Sequence, residues 1–171
     1  IGFAADFMAI GLCELASISE RRIEKLNQTA FSGLPAFLTA EPGLNSGLMI
    51  AQVTAAALLA EARVLAHPAS VDSVPTSADK EDHVSMSMGA GLKLQEVVRG
   101  LRRILGIEIL CAAQGIDLLR PLRSSPALEA LHSDFRKRVA RLDDDRELAA
   151  DLEAAEAFVE GEIDSHLEAL A

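Results

Sequence analysis

The sequence has no tryptophan and no tyrosine, and six phenylalanines are its only large aromatic residues. Its apolar half is built from Ala, Leu, Ile and Val, with few of the aromatic and Thr residues that favour strands. That combination predicts an all-helical chain. Cysteine is almost as scarce: Cys13 and Cys111 stand far apart, each inside an apolar helical pattern. Such spacing excludes a disulfide framework and a paired thiolate metal site, and predicts reduced, buried thiols in a cytoplasmic protein. No apolar run reaches the roughly 18 to 20 uncharged residues that a bilayer span needs. The longest are interrupted by Glu61 and Arg63, or by Glu108 and Gln114, so no membrane segment is expected. Basic residues are outnumbered, giving a net charge of −10 without a basic stripe, which excludes an ordinary nucleic-acid binder. The deficit is uneven, with 13 acids against 5 bases from Pro126 onward and near balance before it.

What is present is helical spacing. Phe3, Phe7, Ile10, Leu15 and Ile18 open the chain with it, and Ser17–Glu20 could form a capping box that restarts or bends this helix. Gly33, Pro35, Pro42 and Gly43 mark a loop over 31–44, after which Asn45 or Ser46 can cap a helix that Pro68 stops. A second irregular stretch covers 67–84. The longest helix is expected over about 85–119, apolar nearly all round beyond Arg103 and so in need of partners; on that ground the chain is expected to self-associate. Helices over about 126–140 and 146–160 follow, with Asp143, Asp144 and Asp145 as the turn and negative cap between them.

Several kinds of chemistry are absent from this pattern. There is no GxSxG elbow, no glycine-rich phosphate loop after a strand, and no His or Cys pair at zinc spacing, so no metal is expected. His132 and His166 read as surface residues of the acidic tail. Glu108 and Gln114, in the most apolar helix, require polar partners across a helix interface. The remaining candidate is "SADKEDHVSMSM", Ser77–Met88, which places five ionisable residues side by side between a proline-rich turn and the long helix. A solvated loop with a helix cap explains it; so does a carboxylate positioned for acid–base work.

Larger blocks decide between those readings. "GLNSGLMIAQVTAAALLAEARVLAHPASVDSVPTSADKEDHVSM" (Gly43–Met86) resembles the C-terminal part of the histidine ammonia-lyases, within the aromatic amino acid lyase family. "SERR" (Ser19–Arg22), "SGLPAFL" (Ser32–Leu38), "GIEILCAAQG" (Gly106–Gly115) and "DDDRELAADLEAAEAFV" extend the resemblance in the same order over nearly the whole chain. The resemblance implies a long-helix bundle of the ammonia-lyase or fumarase–aspartase type, incomplete without an N-terminal part. Residues 1–171 would be its C-terminal segment, with core helices to about 119 and C-terminal helices from about 126.

The family's electrophile is a methylidene-imidazolone group made from an Ala-Ser-Gly tripeptide, which this sequence lacks, as it lacks the family's catalytic tyrosines. The resemblance therefore implies that this chain alone forms no such group and deaminates nothing. It implies a homotetramer, a histidine-like small-molecule substrate, and a catalytic and substrate-binding role for Glu81. Lys80, where the family often has glutamine, would stand beside the substrate. His67, Asp82 and His83 would support the site loop, Asp82 and His83 also capping the long helix. A carboxylate suits an imidazole, whereas the phenylalanine and tyrosine lyases resemble "NQD" there, with an amide. Two other readings stay open: a lyase or aminomutase for another aromatic amino acid, or a non-catalytic helical oligomerisation segment.

Overall fold

The computed structural model describes residues 1–161 and 163; His166 lies outside them. The helical spacing of the first residues becomes one unbroken helix, α1 (Gly2–Asn27). Its buried positions Ala5, Ala9, Cys13, Ala16, Glu20, Ile23 and Asn27 recur every three or four residues, so a single face of mainly small side chains meets its neighbours. Ser17–Glu20 does not restart the helix. Ser19 points across it instead, and Glu20 is buried with Arg21 donating to it at 2.7 Å.

A four-residue turn of helix, α2 (Thr29–Ser32), and a 3-10 turn (Ala36–Leu38) lie within the expected loop. Helix α3 (Met49–Leu65) repeats the small-residue stripe with Ala51, Ala55, Leu59 and Ala62. Neither Asn45 nor Ser46 caps it through a side chain: Leu48 is the N-cap. The backbone N–H groups of Ser46 and Gly47 donate to Asp145 at 2.7 and 2.8 Å. The expected Asp cap of the last helix is thereby corrected, because Asp145 is engaged by a loop about a hundred residues away in sequence. Those two backbone hydrogen bonds hold its carboxyl below the usual range.

Helix α4 (Ser87–Leu118) is the spine, packed against α1, α3 and α6 (Ala149–Gly161). At about 1.5 Å per residue its 32 residues run about 48 Å. Asp82 and His83 do not cap it; its N-cap is Met86, without a side-chain bond. The apolar second half finds its partners inside the chain: Ile104, Ile107, Leu110 and Cys111 are buried in the common core. Exposed apolar side chains gather elsewhere, with Phe3, Phe7, Met8, Leu15 and Ile18 on α1 and Ile50 and Val53 on α3. Helix α1 is also long and apolar enough, by length and composition, to cross a membrane, with a third of that stretch buried. No strand forms among the described residues.

The polar residues of α4 are paired as expected. Ser19 Oγ donates to Glu108 Oε2 at 2.6 Å and Arg22 reaches Oε1 at 3.3 Å. Gln114 Nε2 donates to the carbonyls of Leu38 (3.1 Å) and Leu142 (2.7 Å), while its Oε1 accepts from Leu142 N (3.1 Å) and Arg136 (3.4 Å). One amide thus ties α4 to the 3-10 turn and to the chain between the last two helices. Helix α5 (Pro126–Phe135) starts where proline at N1 and the Ser125 hydroxyl cap predict, but is shorter than expected. Its Phe135 meets Phe158 of α6 edge to face, centroids 5.4 Å apart. Gly106 lets α6 approach α4; a Cβ there would lie 3.0 Å from the Glu156 nitrogen. Cys13 and Cys111 are free and buried, and burial pushes the Cys111 thiol up to about 12.

Candidate functional site

Between α3 and α4 the chain leaves the helical core and forms a hairpin. Its entry is fastened by a residue that the sequence pattern had not singled out. Asp6, buried in the first turns of α1, accepts the backbone N–H groups of Ala69 (3.2 Å) and Ser70 (2.8 Å). Hydrogen bonds from Ser70, by hydroxyl and backbone, hold the Asp6 carboxyl below its ordinary range. Lys93 of α4 donates to the His67 carbonyl. His67 therefore serves the loop through its backbone, and its ring remains exposed.

Further along, Ser73 pins both arms. Its hydroxyl donates to the Val84 carbonyl (3.2 Å) and receives the Val84 N–H (2.8 Å). Nearer the tip, Thr76 and Glu81 form an antiparallel bridge, Thr76 N donating to Glu81 O at 2.9 Å and Glu81 N to Thr76 O at 3.3 Å. Between them Ser77, Ala78 and Asp79 all adopt left-handed backbone, with φ of 53°, 53° and 63°. Side chains resist that region, at about 1–2 kcal/mol per residue, so three in succession mark a strained tip. The Thr76 hydroxyl also donates to Glu81 Oε2 at 3.1 Å.

The structure thus brings Lys80, Glu81, Asp82 and His83 together on one exposed hairpin arm. His83 lines a cleft of about 260 Å³ with Ser70, Asp72 and Ser85 beside the start of α1. Glu81 presents a carboxylate with one oxygen bound by Thr76 and the other open to a ligand. Among the described residues no group of three His, Cys, Asp or Glu side chains is arranged to hold a metal ion.

A second polar cleft, of about 430 Å³, lies beside α5. His132 is not a surface residue: its side chain is 10% exposed, with Nε2 2.9 Å from Asp117 Oδ1. Arg136 reaches the same carboxylate at 2.7 Å, and Arg120 pairs with Glu129 at 2.9 Å. The Arg120 hydrogen bond is the main reason the Glu129 carboxyl is held down to about 2. These charges are committed to one another, whereas those of the hairpin are not.

The sequence singled out Glu81 as a candidate but not Asp6, Ser73 or Thr76. A lone acid in the apolar stretch "FAADFMAI" was the available signal for Asp6; nothing in "SVDSVPTS" separates Ser73 and Thr76 from the other hydroxyls.

Comparison with known proteins fits this geometry. Residues 1–137 match the family described as aromatic amino acid lyase. The chain is 52% identical to the histidine ammonia-lyase of Symbiobacterium thermophilum across its full length, and 51% identical to that of Anaeromyxobacter sp. across 94% of it. It spans about one third of the length of these relatives, 34% and 32% respectively. Among solved structures, histidine ammonia-lyase from Trypanosoma cruzi superposes with a TM-score of 0.95 at 46% identity, over 98% of this chain and 33% of that one. Tyrosine aminomutase from Streptomyces globisporus gives 0.92 at 38% identity, over 99% and 33%. By sequence match and by fold alike, the chain belongs to the aromatic amino acid lyase family.

Proposed function

We propose that this chain is the part of a histidine ammonia-lyase that delivers Glu81 to the active site of the complete enzyme, which converts L-histidine to urocanate and ammonia. The observation carrying this reading is the half-free Glu81 carboxylate on a strained hairpin, in a chain about half identical to histidine ammonia-lyases. In the overall reaction the Cα–N bond breaks, a Cβ–H proton is removed, and a carbon–carbon double bond forms as ammonia leaves. The substrate's imidazole needs a polar partner and its β-proton needs a base. Glu81 can accept an imidazole N–H or take up a proton, which a glutamine amide at the same place cannot do equally well. Lys80 adds a cation beside it, and His67, Asp82 and His83 belong to the supporting loop.

In the complete enzyme a methylidene-imidazolone would supply the electrophile for the amine. The groups around Glu81 are hydroxyl, ammonium, carboxylate and imidazole, and the sequence contains no Ala-Ser-Gly, so this chain does not form that group. A homotetramer is supported by the exposed apolar side chains of α1 and α3, and a cytoplasmic location by two free, buried thiols. The tyrosine aminomutase likeness supports a second reading, an enzyme for another aromatic amino acid. The carboxylate at position 81 favours histidine.

The test is Glu81→Gln in the complete enzyme, followed by the ultraviolet absorbance of urocanate. Positioned acid–base groups contribute about 10²–10⁴-fold, so kcat should fall within that range while assembly persists. Wild-type turnover in an assembled Glu81→Gln enzyme would return the segment to a solvated loop. Faster turnover of tyrosine or phenylalanine than of histidine by the unaltered enzyme would favour the second reading.

A further inference from the structure

Three independent features of the hairpin converge on one oxygen of Glu81. The backbone bridge sets Thr76 directly opposite Glu81, with both N–H···O bonds exchanged. Paired residues of an antiparallel bridge project their side chains to the same face, close enough to interact. The second feature is the left-handed run Ser77–Asp79, closed by Lys80 N donating to Ser77 O at 3.3 Å. Backbone of this kind fixes the length of the tip and hence the pairing; a slip of one residue would turn Glu81 to the opposite face. The third is the Thr76 hydroxyl, 3.1 Å from Glu81 Oε2.

Strain of this sort persists only where surrounding contacts impose it, and it concentrates at working sites. Here those contacts are the Ser73–Val84 pair and the Thr76–Glu81 pair. Glutamate has three rotatable side-chain bonds, and an exposed one samples many orientations. A hydroxyl bonded to one carboxylate oxygen narrows that freedom, while the residue stays exposed and Oε1 is left to meet a ligand. Orientation of a reacting group is itself a large rate factor.

We propose that Thr76 is a positioning residue, whose hydroxyl holds one oxygen of Glu81 so that the other meets the substrate. This rests on the reading of Glu81 given above. It touches no reacting atom, and its effect passes entirely through Glu81.

The experiment is a double-mutant cycle in the complete lyase, with histidine turnover as the readout. Thr76→Val keeps the branched shape and the backbone bridge but removes the hydroxyl; Thr76→Ser keeps the hydroxyl. Losing a hydrogen bond to a charged group should lower kcat by about tenfold in Thr76→Val, while Thr76→Ser stays within about twofold of the parent. In a Glu81→Ala background, Thr76→Val should cost less than about twofold, because contacting residues are coupled. Light scattering and circular dichroism establish assembly, and Thr76→Ala replaces the valine variant if that one fails to assemble. An equal Thr76→Val loss in both backgrounds would make Thr76 scaffold only. So would an undiminished rate in Thr76→Val while Glu81→Gln is slow; either result overturns the positioning role and leaves Glu81 in place. Full turnover in Glu81→Gln removes both proposals.

Discussion

Gln114 and Glu81 are both polar residues, one inside the most apolar helix and one in an ionisable run just before that helix, and the fold treats them in opposite ways. Gln114 is buried, and its two ends meet two carbonyls, one backbone N–H and one guanidinium. Glu81 is exposed on a hairpin whose backbone is strained, and one hydroxyl holds one of its oxygens. A buried polar group must be satisfied, because leaving it unpaired costs about 1–3 kcal/mol. A group that is to bind something else must keep capacity in reserve. Saturation marks the structural residue and incompleteness the candidate functional one.

Glu81→Gln gives the largest expected effect on that contrast, about 10²–10⁴-fold in kcat, with little change in stability. Glu96→Gln is its control: Glu96 forms an exposed pair with Arg99 at 2.6 Å, worth at most about 1 kcal/mol, and should leave turnover unchanged. Gln114→Leu should behave in reverse. It strips partners from Leu38 and Leu142 and should lower unfolding stability by about 2–4 kcal/mol, read from the urea midpoint of the complete protein. If it also slowed turnover in the folded enzyme at saturating substrate, the division between the two residues would not hold.

Gly47→Ala probes the same contrast at another strained turn. Gly47 has φ +55°, and a Cβ there would lie 2.4 Å from the Phe37 carbonyl oxygen and 2.9 Å from Thr39 Cβ. The expected loss is about 2 kcal/mol, since backbone rather than a flexible side chain stands in the way. An unchanged urea midpoint would mean that the turn rearranges freely.

The smallest effect should be the acid dependence supplied by the loop fasteners. Asp6 and Asp145 both have their carboxyls lowered from about the ordinary 3.8 by hydrogen bonds of the native fold. For a depressed carboxyl the stabilisation is complete above the unfolded value and is lost as pH falls through the folded one. Asp6→Asn should therefore be less stable than the parent at neutral pH, with the gap closing as pH falls below about 3.8. Thermal unfolding of both proteins between neutral and acid pH measures this. A constant gap would mean that Asp6 acts through packing alone.

Much of this molecule could be read from local spacing. The all-helical class, the start of α5 at Pro126, and the need for partners at Glu108 and Gln114 followed from composition, helical spacing and the cost of burying polar groups. The buried face of α1 did not: the large residues that open it, Phe3, Phe7, Ile10, Leu15 and Ile18, are exposed, and a stripe of small ones is buried. The helix caps did not follow. Asn45, Ser46, Asp82, His83 and the Asp143–Asp145 run all have capping chemistry, but the short loops around them are shaped by distant contacts. His132 reads as a surface residue by composition, yet most of its side chain is covered because its Nε2 faces Asp117 of α4, a carboxylate that Arg136 also reaches.

By itself the sequence determined which segments coil, which faces are apolar, and that a carboxylate stands in a loop between two long helices. Tertiary structure alone decided which carboxylate meets which amide: Asp6 with Ala69 and Ser70, Asp145 with Ser46 and Gly47. The reason is one of range. Helix formation and amphipathicity are set by neighbours within a turn, so they leave a periodic trace along the chain. A hydrogen bond between residues sixty to a hundred positions apart depends on how whole helices pack, and leaves no period to read.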